Sequence, residues 1–172
     1  MNDPTLWEEE QTYVQSLIAQ DCFNNSAWNQ KWFVCHRGMH QIPLSPTVAQ
    51  QEIDDSLDCA AIDPTNESPW RYLIGVIKEQ SKSDRDDMTH ILESCQGKIQ
   101  EMQTVLTDSG LVARSFVHMT CALMDILELK GGANDWTDAA DLARSLVTFD
   151  PIRQKYWLQR EEQCRIKIPS IV

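Results

Sequence analysis

The sequence predicts an all-α fold, a right-handed stack of antiparallel helix pairs. Three observations carry that expectation. First, Asp-x-x-Asn-x-Ser-x-Trp occurs twice, as Asp21, Asn24, Ser26, Trp28 and as Asp63, Asn66, Ser68, Trp70, with an offset of 42 at all four positions. A decayed copy keeps only Asp150 and Trp157, again seven residues apart. A fixed period of this size signals stacked supersecondary units; 42 is too long for a tetratricopeptide unit of about 34 and falls among helical repeats of about 40–47. Second, apolar residues recur at i, i+3, i+4, i+7 wherever the pattern is readable. Third, nothing alternates with period two over a useful length, so no sheet is expected.

The first helix is read from Asp3 as cap and Pro4 as first helical residue, with Glu8, Glu9 and Glu10 near its positive end. Its apolar face is Trp7, Val14, Leu17 and Ile18. In the repeat register this is the second helix of a pair, so the chain is expected to start halfway through a repeat and to leave part of that stripe uncovered. Helix pairs are then expected at about 26–37 with 47–62, and 68–80 with 84–106. Trp28, Trp32 and Cys35 stripe one capped helix; Trp70, Leu73, Ile74 and Ile77 stripe its sister, with Ser68 read as N-cap and Pro69 as first residue. Ile53, Leu57, Ala60 and Ala61 line the second helix of the first pair, which Asp63-Pro64 stops. Gly97 marks a candidate break in the helix striped by Met88, Ile91, Leu92, Cys95, Ile99, Met102 and Leu106. A pair at about 111–129 and 134–149 follows, the first helix striped by Val112, Phe116, Met119, Leu123 and Ile126 and ended by Gly131-Gly132. A last helix runs from 151 to about 165. The predicted organisation is a single helical-repeat domain over 1–165, with motifs at 21–34, 63–76 and 150–160, and a short tail over 166–172.

At 172 residues the chain can bury a substantial core. A 42% hydrophobic content with only 6 Gly suits a helical globular protein. A net charge of −11 argues against nucleic acid and anionic membrane as partners. No apolar run approaches the roughly 20 residues of a membrane span. Met1-Asn2-Asp3-Pro4 does not open a signal peptide, and none of the six cysteines (Cys22, Cys35, Cys59, Cys95, Cys121, Cys164) forms Cys-x-x-Cys. Reduced thiols in a cytoplasmic protein are the expectation. Asn24-Asn25-Ser26 and Asn66-Glu67-Ser68 match the glycosylation sequon, but without a secretory signal they read as helix-capping loops.

Asn24-Asn25-Ser26-Ala27-Trp28-Asn29-Gln30-Lys31-Trp32-Phe33 resembles a repeat of the protein prenyltransferase α subunit. Pro64-Thr65-Asn66-Glu67-Ser68-Pro69-Trp70-Arg71-Tyr72-Leu73 resembles the next, and Asp150-Pro151-Ile152-Arg153-Gln154-Lys155-Tyr156-Trp157 the last. The nearest resemblance is to the α subunit shared by protein farnesyltransferase and type I geranylgeranyltransferase, from about Leu6 to Arg160, with 81–134 matching only in helical layout. It implies the C-terminal portion of an α subunit that wraps a separately made β subunit in a heterodimer. The complex would transfer farnesyl or geranylgeranyl groups to C-terminal cysteines of substrate proteins. The catalytic zinc would belong to the β subunit, this chain binding no cofactor and contributing a scaffold. In the family's upstream repeats the loop before each Trp places a Lys, a Tyr and a His near the prenyl diphosphate. The equivalent loops here carry Asn24, Asn25, Ser26 and Asn66, Glu67, Ser68, none of them such a residue. The resemblance implies that these loops bind the partner and that the contacting repeats lie before Met1.

No catalytic or metal set emerges from the residues themselves. His36 and His40 are i, i+4, but Gly38 and Met39 intervene, a solvated loop is expected, and no third ligand is near. Asp21 and Asp63 are equivalent repeat positions, so turn geometry explains them better than acid–base chemistry. No cysteine has a local activating pattern. Trp28, Trp70 and Trp157 read as the repeat core. The run Ser83-Asp84-Arg85-Asp86-Asp87 reads as a solvated helix start. The rival reading is a helical-repeat adaptor that binds some other protein without prenylation.

Overall fold

The chain forms only helices and connections among the residues described by the computed structural model, 4–39, 43–82, 88–111 and 113–169. The helices are α1 (Pro4–Gln20), α2 (Asn25–Phe33), α3 (Pro46–Ile62), α4 (Glu67–Gln80), α5 (Met88–Asp108), α6 (Val117–Lys130), α7 (Ala133–Phe149) and α8 (Gln154–Lys167). They fall into two compact units, Met1–Arg85 and Asp86–Val172. The Asp3 cap, His40, the run 83–87 and Val112 lie outside the described residues.

In the first unit α1 packs on α2, α3 on α4, and α2 lies beside α4. Each helix buries the face its apolar spacing sets. Val14 and Ile18 of α1, Ala49, Ile53, Leu57 and Ala60 of α3, and Leu73, Ile74 and Ile77 of α4 are buried, whereas Ala61 is exposed. Of the α1 stripe, Val14 and Ile18 are buried and Trp7 and Leu17 half-buried, while Leu6 and Tyr13 stand exposed elsewhere on the same helix.

Two corrections to the expected helix ends have local causes. The caps are Asn24 and Asn66, so α2 starts at Asn25 rather than about 26, and α4 is capped by Asn66 rather than the expected Ser68. The Asn66 carboxamide oxygen accepts the backbone N–H of Ser68 at 3.1 Å, and the Asn24 oxygen accepts that of Ala27 at 3.1 Å. Asn is at least as good a cap as Ser, and here it reaches the free amides two residues earlier. The chain after α2 is not a solvated loop. It continues as a wider π-helical turn, Val34–Met39, which buries His36. The His36 ring stacks on Trp32 with centroids 3.7 Å apart, and its Nδ1 lies 3.1 Å from the Trp32 carbonyl oxygen. Gly38 belongs there because a Cβ would fall 2.2 Å from the Trp7 ring of α1.

A charged cluster sits inside this core. Lys31 Nζ of α2 lies 2.7 Å from Glu52 Oε2 of α3, and all but a few per cent of both side chains is buried. The Tyr72 hydroxyl of α4 donates to the same Glu52 oxygen, while the Lys31 ammonium lies 5.4 Å from the centre of the Tyr72 ring. Burial first, and then the Glu52 charge, push the Tyr72 phenol well above its ordinary range, so it stays a donor. One buried carboxylate thus ties three helices together.

In the second unit α5 packs on α6, α6 on α7, and α7 on α8. α5 runs without interruption through Gly97, which is exposed. A 3-10 turn, Ala113–Phe116, replaces the expected first turn of α6. Gly131 ends α6 in the left-handed conformation at φ 69°, and the Asp135 carboxylate accepts the Gly132 N–H at 3.1 Å to start α7. Ion pairs hold the packed faces. Glu161 of α8, buried, meets Arg144 of α7 at 2.9 Å, and Arg160 of α8 meets Asp125 and Glu128 of α6 at 2.7 and 2.6 Å.

Two stability outcomes follow from this packing. Trp70→Ala removes a fully buried ring and is expected to cost roughly 3–5 kcal/mol by urea denaturation; a loss under about 1 kcal/mol would contradict its place in the core. Lys31→Met strands the Glu52 charge and is expected to cost about 3–5 kcal/mol. Adding Glu52→Gln should recover much of that loss, and a double variant no more stable than the single one would refute the pairing.

Candidate partner-binding loops

The repeated motif builds the same loop twice. Asp21 Oδ1 accepts the Phe23 N–H at 2.9 Å, and Asp63 Oδ1 accepts the Thr65 N–H at 2.9 Å. Each carboxylate thereby closes a turn two residues long, the role repeat geometry assigns it. The Asn at the end of each turn caps the following helix. The tryptophan one turn into that helix folds its indole back beneath the loop. Trp28 Nε1 donates to the Cys22 carbonyl at 2.9 Å, and Trp70 Nε1 donates to the Pro64 carbonyl at 3.0 Å. Donor and acceptor are six residues apart in both cases. The rings themselves are 3% and 2% exposed.

The two loops are also joined to each other. Asn66 Nδ2 donates to the Cys22 carbonyl at 2.7 Å, so one loop oxygen accepts both the Trp28 indole and the next repeat's Asn. The Ser68 hydroxyl donates to Asn25 Oδ1 at 3.4 Å. Three of the six sequence-derived site residues, Asn25, Asn66 and Ser68, make these links. Ser26 is exposed beside them, with no role in the link.

Their accessibility differs. Asn66 and Ser68 are only 4% and 7% exposed and face the neighbouring loop. Asn24 is half-buried as a cap. Asn25 and Ser26 are exposed, and the half-buried Glu67 reaches Arg71 one turn on at 3.3 Å. Sequence reasoning missed two large exposed apolar residues at this edge, Phe23 in the first loop at 57% exposure and Ile62 at the end of α3, just before the second loop, at 76%. The signal was present for Phe23, which stands in an otherwise polar connection, and for Ile62, which falls off the buried stripe of α3. Ile152, two residues after Asp150 as Phe23 is after Asp21, is 95% exposed.

The third copy solves the same problem differently. Pro151–Arg153 forms a 3-10 turn, and Trp157 Nε1 donates to the Asp150 carboxylate at 2.9 Å rather than to a loop carbonyl. Burial opposes ionisation of Asp150. The Trp157 N–H and Arg153 guanidinium outweigh it and hold the carboxyl below its ordinary range. Trp157 is buried like its counterparts.

No group of three His, Cys, Asp or Glu side chains that could hold a metal comes together among the described residues. Four of the thiols are pushed away from reactivity. Burial pushes Cys35 and Cys121 up to about 12 and Cys164 to about 11, and raises Cys59 as well. No helix among the described residues is long and apolar enough to cross a membrane.

Comparison with known proteins agrees with this architecture. The protein prenyltransferase alpha subunit repeat matches residues 7–38, the stretch that holds most of α1, the first loop, α2 and most of the π-helical turn. The chain is 31% identical over 164 residues to the protein farnesyltransferase/geranylgeranyltransferase type-1 subunit alpha of Pisum sativum, covering 91% of this chain and 49% of that protein. It is 34% identical over 181 residues to the protein of the same name from Solanum lycopersicum, covering 94% and 48%. For the protein of that name from Dictyostelium discoideum the identity is 26% over 152 residues, covering 88% and 43%. The chain spans about half the length of the curated relatives it matches. The repeat match and the relatives together cover the loops and both helical units, so the chain carries a protein prenyltransferase alpha subunit repeat and is similar over nine tenths of its length to type-1 alpha subunits.

Proposed function

We propose that this chain serves, in the cytoplasm, as part of the α subunit of a heterodimeric protein prenyltransferase, which transfers farnesyl or geranylgeranyl groups to C-terminal cysteines of proteins. Its role is scaffolding. The linked loop edge of the first unit presents Phe23, Asn25, Ser26, Ile62 and Glu67 to the β subunit, while Asn66 and Ser68 hold that edge in register. The zinc and the choice of prenyl length belong to the β subunit. The observation that carries this reading is the twice-built loop, buried tryptophan beneath and exposed apolar residues above, in a chain similar to type-1 α subunits over nine tenths of its length. Exposed apolar groups held on a rigid, hydrogen-bonded edge suit a protein interface.

Co-expression with the β subunits of the source organism tests it. A 1:1 complex on gel filtration, weakened by Phe23→Asp together with Ile62→Asp, is the expected result. The purified chain alone should transfer no prenyl group to a cysteine-ended peptide. Failure to associate with any β subunit, with capture of an unrelated protein through the same loops, would favour the adaptor reading instead. Turnover by the chain alone, abolished by one of its own substitutions, would overturn the scaffold role.

A further inference from the structure

We propose that the first unit carries a socket for a basic side chain, Lys or Arg, of the partner subunit, placed between the C-terminal ends of α1 and α3. The proposal rests on the reading of the adjoining loops as partner-facing. A cavity of about 410 Å³ opens there, within the size range of binding clefts. Its apolar wall is Ile18, Trp28 and Ile62, and its carboxylates are Asp55 and Asp58. Cys22, whose carbonyl joins the two loops, also lines it, so the cavity is continuous with the loop edge.

Three features fix the sign of the ligand. Gln20 and Ile62, the last residues of α1 and α3, both line the cavity, so the C-terminal ends of two helices border it. Neither helix has a basic residue in its last turn to offset that partial negative charge. Asp58 is exposed and Asp55 half-buried on the same wall. Lys31 is the cation among the lining residues, and it is committed to Glu52 at 2.7 Å, with Asp55 further off at 3.7 Å. The field in the cavity is therefore negative. A diphosphate or an acidic side chain is repelled, and a purely apolar one would desolvate the carboxylates without replacement. A Lys or Arg lays its methylene stem on Ile18, Trp28 and Ile62 and brings its charged head to Asp58 and the helix ends.

The test uses Asp58→Lys, a substitution favourable to the helix near the carbonyl end of α3, so that folding is preserved. In the heterodimer it is expected to weaken subunit affinity by about tenfold, with Asp58→Asn between, and the difference should shrink at about 0.5 M salt. Complex formation should also slow iodoacetamide alkylation of Cys22 and Cys59, which line the cavity. A complex that forms with unchanged affinity in Asp58→Lys and unchanged alkylation overturns the socket and leaves the partner reading intact. A wild-type chain that binds no β subunit overturns the partner reading, and the socket is then decided by a small probe. N-acetyl-arginine methyl ester slowing alkylation of Cys22 and Cys59 more than N-acetyl-leucine methyl ester sustains it, and equal rates refute it.

Discussion

A single backbone oxygen organises the first unit. The Cys22 carbonyl accepts the indole N–H of Trp28 from below and the carboxamide N–H of Asn66 from the next repeat. A loop carbonyl has two lone pairs, and here both are used, one within a repeat and one between repeats. The indole bond fixes the height of the loop above its own helix. The Asn bond fixes the spacing of that loop from its neighbour. Everything exposed on this edge, Phe23, Asn25, Ser26, Ile62 and Glu67, inherits its position from that oxygen. A tryptophan suits the task because it fills the core with a large apolar ring and still carries one donor that must be satisfied when buried.

This explains why the motif spans such different residue types. Asp turns the chain, Asn caps the helix, with Asn66 also reaching the neighbouring loop, Ser68 makes a minor second link, and Trp supplies the core and the inner hydrogen bond. The third copy shows what remains when the middle of the motif is lost. Asp150 and Trp157 then bond directly, carboxylate to indole, and a connection of the same length winds into a 3-10 turn. The tryptophan stays buried in either design. Removing its large ring from water stabilises the fold more than any one loop hydrogen bond does, so the loop geometry adapts to the ring.

Helices, their order and their buried faces are legible in the sequence because burial imposes a period that one chain displays. The repeat is legible because the same hydrogen bonds demand the same residues 42 apart. What escapes has no periodic signature. Lys31 and Glu52 form a buried pair, yet the residue 42 beyond Lys31 is Leu73, so the repeat hides the charge rather than advertising it. A carboxylate in the middle of the apolar stripe of α3 is the only clue. The cap falls on Asn66 rather than Ser68 because two good capping residues stand close together and the one that also bonds the neighbouring loop prevails. His36 reads as solvated because Gly38 resembles a loop residue, whereas that glycine serves the close approach of Trp7. Of the six loop residues to which the repeat motif points, the structure turns Asn66 and Ser68 inward, an orientation that spacing alone does not encode.

The central claim is that a prebuilt, internally hydrogen-bonded loop edge is the surface this chain offers to its partner. Hydrogen–deuterium exchange of the chain, free and bound to a prenyltransferase β subunit, tests it most directly. Protection gained on binding should concentrate in the peptides spanning 21–27 and 61–67, with the tryptophan-bearing helices already slow to exchange in the free chain. Protection confined to other segments, or loops that become ordered only on binding, would contradict the account.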